Sequence, residues 1–126
     1  MIADVALAFS IVGHAATFTS ASEGVTKPVR GTMLLGPEMM AFQPCNSQDK
    51  WWIASTDDRE GKITAILDTQ PRCDLDTMPC ERQRAYVEAD ARVSEKGEYG
   101  HMGLYTHEIH FIKVSSAVRD VPVDCK

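Results

Sequence analysis

Apolar and polar residues alternate with a period of two from Ala85 to Ser94. Ala85, Val87, Ala89, Ala91 and Val93 fall on one side and Tyr86, Glu88, Asp90, Arg92 and Ser94 on the other. Successive side chains of a strand point to opposite faces, so this segment predicts a half-buried strand with a small apolar inner face. An extended pattern resumes from Tyr105 to Val114, with Ile109 and Phe111 on one face, after the glycines and charges of an exposed connection at Glu95 to Gly100. The two strands are expected to pair antiparallel. Upstream, Val29 to Leu35 and Met39 to Phe42 are apolar runs punctuated by Gly36-Pro37, the signature of two strands joined by a turn that Pro44-Cys45-Asn46 ends. Trp51, Trp52 and Ile53 make a short aromatic strand, since bulky side chains pack well on a pleated surface.

Between these strands, Ile63, Ile66 and Leu67 fall at i, i+3 and i+4, and Asp57, Asp58 and Glu60 set negative charge near the positive end of a helix dipole. A short helix is favoured there over the strand alternation of Ile63, Ala65 and Leu67. Cys73 to Arg84 carries turn residues and predicts a loop. The order strand, strand, strand, helix, strand, strand is that of a small OB-like antiparallel β-barrel, mainly β with one short helix. Small side chains at its interior positions suit a narrow barrel.

The Ser-, Thr- and Ala-rich stretch from Thr17 to Thr26 predicts a linker, so residues 1–26 are expected to be leader and linker and residues 27–126 the barrel domain. Ile2 to Val12, followed by Ala15 and Ala16, resembles a secretory h-region and cleavage site, but Asp4 interrupts it and no Lys or Arg precedes it. An ordinary buried strand or helix fits equally well. The run is too short to span a bilayer, which takes about 18 residues or more.

A length of 126 residues and an apolar share of 44% suit a single domain with its own core. Thirteen Lys plus Arg against eighteen Asp plus Glu leave a net charge of −5, without the basic footprint that drives phosphate-backbone binding, so nucleic acid is not an expected partner. Cys45, Cys73, Cys80 and Cys125 are an even set compatible with two disulfides in any of three connectivities. Cys73 with Cys80 would close a short loop; Cys45 with Cys125 would close a long one and tie down the C-terminus. Disulfides are favoured over free or metal-bound thiols, from the cysteine parity of small domains and because no pair has zinc-ligand spacing.

Arg30-Gly31-Thr32, Phe42-Gln43-Pro44-Cys45 leading into Trp51-Trp52, Tyr86-Val87-Glu88 and Gly100-His101-Met102-Gly103-Leu104-Tyr105 resemble bacterial envelope domains related to the lipoprotein NlpE, over residues 29 to 114. The resemblance implies a small periplasmic or cell-envelope β-barrel, in a family linked to copper resistance and envelope-stress signalling. This chain has no Cys-x-x-Cys and no lipobox, so the copper function does not transfer residue by residue.

Of the histidines, His101, His107 and His110 lie close in sequence, with Met102 between them. Together they form a conceivable soft-metal set for copper or zinc. On an extended strand, however, His107 and His110 have opposite parity and cannot share one ion without a bulge or turn. No metal ligand and no cofactor is therefore assigned. Met33, Met39 and Met40 are expected to be adaptable core filling. The carboxylate pairs Asp74/Asp76 and Glu88/Asp90 suit solvation better than acid–base work, and no nucleophile or phosphate-loop motif occurs. The expectation is a non-catalytic domain that binds a protein or small ligand. Trp51, Trp52 and Tyr105 are its candidate contacts, because aromatics often carry interface energy. At least one of the two tryptophans is expected to plug the core.

Overall fold

A computed structural model describes residues 24–125. The leader expected at the N-terminus lies almost wholly outside them. Strands β1 (Thr26–Gly36), β2 (Met39–Pro44) and β3 (Trp51–Thr56) precede helix α1 (Lys62–Leu67), and strands β4 (Gln83–Val93) and β5 (Glu108–Val118) follow it. The sheet closes in the order β1-β2-β3-β5-β4, with β4 returning to pair with β1 along most of its length. This is the expected OB-like barrel. One neighbouring pair departs from the antiparallel pattern: β3 and β5 run parallel, because α1 and β4 intervene and the chain reverses twice between them.

The interior follows the period-two prediction. Ala85, Val87, Ala89 and Ala91 are buried, and Val93 packs against the same core. Opposite them stand Met33, Phe42, Ile53, Ile109 and Phe111, with the Phe42 and Phe111 rings edge to face at 5.2 Å. Gly31 is needed at the tightest crossing, where a Cβ would collide with the Gln43 carbonyl and the Phe42 ring. Strand β5 breaks its own alternation. Its register against β4 shifts twice, leaving Ile112 and Ser115 as extra residues, and Val114 is thereby buried and Ala117 brought against the core.

Helix α1 packs on β4 and β5 and contributes Ile63, Ile66 and Leu67 to the core. Gly61 offers no side chain to cap it. Asp58 instead accepts from the backbone N–H groups of Ile63 at 3.1 Å and Thr64 at 3.0 Å, satisfying two of the helix's free donors. Arg59, paired with Asp57 at 2.7 Å, holds that neighbouring carboxyl below its usual range.

Two disulfides, Cys45–Cys125 and Cys73–Cys80, use all four cysteines. The first ties the C-terminal turn Val123–Cys125 to the end of β2, and Asn46 N–H donates to the Cys125 carbonyl at 2.9 Å. The second closes the loop before β4. Such bridges fit a non-reducing, extracytoplasmic compartment. Among the described residues no helix is long and apolar enough to cross a membrane.

Candidate binding face

Adjacent residues of a strand face opposite ways, and pairing with β2 decides which tryptophan goes inside. Trp51 stands opposite Phe42, which is fully buried on the inner face, whereas Trp52 stands opposite Ala41 on the outer one. Trp51 accordingly packs against Phe42 at 6.0 Å and the His107 ring at 5.2 Å, and its buried Nε1–H has no hydrogen-bond partner among the described residues. Trp51 is half-buried, packed against the core with its indole turned inward. Tyr105 is more enclosed than either tryptophan. Its ring is 9% exposed and lies 5.3 Å from the Trp52 ring, so it supports that indole from below and offers little surface of its own. Burial pushes the Tyr105 phenol above its usual value, against a smaller opposing pull from the Arg82 guanidinium. Both tryptophans are half-buried, and Trp52 is the one that lies on the outer face of the sheet.

The loop joining β4 to β5 forms a short hairpin over Trp52. Tyr99 and Tyr105 exchange backbone hydrogen bonds of 2.9 and 3.1 Å, and Gly97 N–H donates to the Thr106 carbonyl at 2.8 Å. Its tip turns through Gly100, Met102 and Gly103, all at positive φ, and leaves Met102 79% and Leu104 76% exposed. His101 at this tip lies 3.6 Å from Glu38 in the β1–β2 turn, joining the two loops across one end of the barrel. Met33 fills the core as expected, but Met40, although on the same inward side, stands 44% exposed at the barrel mouth. The apolar tip was hidden in the sequence behind its histidine and glycines. Its visible sign is Met102 and Leu104 placed between turn-forming glycines, where a solvated loop would carry polar residues.

The three downstream histidines have different surroundings. His101 meets Glu38, His107 meets Trp51 and Thr106, and His110 shares a 2.6 Å hydrogen bond with Ser55 Oγ and lies 3.4 Å from Glu108. Burial lowers the proton affinity of His107. Among the described residues no three His, Cys, Asp or Glu side chains are placed to hold a metal ion. Asp74 and Asp76 belong to a turn in which Asp74 accepts from the Asp76 N–H and Thr77 hydroxyl, and Glu88 accepts from the Tyr86 hydroxyl at 2.6 Å.

Barrels of this type commonly bind through the face of β2 and β3 and through the β1–β2 and β4–β5 loops. Trp52, Met40, the Glu38–His101 contact and the Met102–Leu104 tip all lie on those elements. No family model, no curated protein and no solved structure matches the chain.

Proposed function

We propose that this chain is a non-catalytic binding domain of the bacterial cell envelope, NlpE-like in kinship and periplasmic in location, that engages a partner protein through the rim formed by the β1–β2 and β4–β5 loops. One observation carries the reading: Met102 and Leu104 stand almost fully exposed on a hydrogen-bonded hairpin tip above Trp52. Large apolar side chains at a hydrogen-bonded tip keep a cost in water that a partner surface removes. The two disulfides support an oxidising address, and with all four cysteines bridged there is no thiolate for nucleophilic work. The envelope-stress or copper context comes with the proposed kinship.

A photo-cross-linking residue placed at Met102 in protein exported to a bacterial envelope tests this. A discrete adduct is expected from position 102 and none from Val123 on the C-terminal turn. Equal yields, or none from either, overturn the reading. Stoichiometric Cu(I) or Zn(II) binding by the purified domain would overturn its protein-binding character in favour of a soft-metal site.

A further inference from the structure

The cations of this acidic chain are unevenly placed. On the outer face of the sheet, register sets Arg84 beside Leu34, Leu34 beside Ala41 and Ala41 beside Trp52, a row across four strands. A groove of about 450 Å3 crosses this row, with Leu34 and Met39 as apolar lining and Lys50, Arg82 and Arg84 at its sides. The Arg82 side chain lies over Gly36, the one place on that strand end where no Cβ blocks it. None of these three cationic side chains has a hydrogen-bond or ion-pair partner among the described residues. Glu81 is the single acid in the groove wall, and Asp49 adjoins Lys50 in sequence. At Leu34, Gln43 and Arg84 the groove joins a second one of about 570 Å3, where Asn46 and Gln48 add amide groups.

We infer that this outer face takes an extended acidic peptide segment of the partner protein, its carboxylates paired with Lys50, Arg82 and Arg84 and its intervening apolar side chains set on Leu34 and Met39. The inference rests on the binding-domain reading above and gives the partner its chemistry. Charge complementarity selects the occupant: three exposed cations against one acid in the groove wall favour an anionic ligand. The apolar lining favours one that alternates charged and apolar groups. An extended peptide does so every second residue, and its backbone suits the amides of Asn46 and Gln48.

The test is fluorescence anisotropy of the oxidised domain with a labelled peptide alternating Glu and Leu, its Gln–Leu counterpart and a Lys–Leu counterpart. The Glu peptide is expected to bind, more weakly as salt rises, and the Gln peptide about tenfold less tightly, as lost charge pairs require. R82E/R84E, checked for folding by near-ultraviolet circular dichroism, is expected to lose the Glu peptide and gain the Lys one, while Lys113→Glu, an exposed position on β5 away from the groove, keeps parental affinity. Absence of Glu-peptide binding, equal binding of Glu and Gln peptides, or displacement by a sulfated heparin fragment that binds more tightly overturns the inference. If the peptide fails while the position-102 adduct persists, only this inference falls. If the adduct fails while the peptide binds, the rim reading falls and the groove stands.

Discussion

The Trp52 indole occupies the space that a side chain at Gly100 would need: a Cβ there would overlap the ring at Cγ, Cδ2 and Cε3. Gly100 also holds φ 70° and ψ −155°, a region that residues with a Cβ rarely enter. Gly100→Ala is expected to destabilise the domain by about 1–3 kcal/mol through strain and displacement of the indole. Urea unfolding checks the magnitude. A red-shifted tryptophan emission of the folded variant checks that Trp52 has moved toward water.

The two bridges close loops of very different size, with sequence separations of 80 and 7. On loop entropy alone, C45S/C125S is expected to cost about 4 kcal/mol and C73S/C80S about 2 kcal/mol. Denaturant midpoints of the two double variants, compared at equal m-value, decide the order. A greater loss on removing the short loop would refute it.

Trp51 combines a large half-buried body with a buried indole N–H that has no partner among the described residues. Trp51→Phe removes the stranded donor and keeps most of the apolar volume, so it is expected to stay within about 1 kcal/mol of the parent. Trp51→Ala opens a cavity and is expected to cost about 3–5 kcal/mol. Chemical denaturation of both separates packing from polarity, because equal losses would show that the N–H does have a partner.

His107 is held toward its neutral form by burial, so its pKa in the folded chain lies below the unfolded value near 6.5. The unfolded chain therefore binds the extra proton first as pH falls. The contribution of His107 to stability is whole above pH 6.5 and declines below it toward the lower folded pKa. His107→Gln is expected to flatten the difference in urea midpoint between pH 7.5 and 5.5 on the order of that single-proton linkage. An unchanged pH slope, or an imidazole that titrates at or above 6.5 by NMR, would contradict the assignment.

The exposed tip and the core respond oppositely to truncation. Phe42→Ala is expected to cost about 3–5 kcal/mol, because Phe42 is fully enclosed between Trp51 and Phe111. Leu104→Ser is expected to change stability by less than about 0.5 kcal/mol, as befits an exposed side chain. Thermal unfolding of the pair tests whether Leu104 stands at the surface for binding or helps to hold the fold.

Local alternation was enough to reveal β4 and its inner face, because the parity of Ala85, Val87, Ala89 and Ala91 is a property of one extended segment and needs no partner strand. The turn at Gly36-Pro37, the helix around Ile63 and the even cysteine count were equally local, and together they implied the barrel order. Everything that depends on register had to await the closed sheet. Trp51 and Trp52 are chemically identical neighbours, and only the pairing with Phe42 and Ala41 turns one inward and leaves the other outside. The bulges at Ile112 and Ser115 reset the inner face of β5 in a way that strict alternation cannot express. Lys50, Arg82 and Arg84 are separated by up to 34 positions in a chain of net charge −5, and they meet at one groove because the ends of β2 and β4 flank the same stretch of β1. Charge and periodicity are written residue by residue, whereas proximity is set by which strands the core draws together.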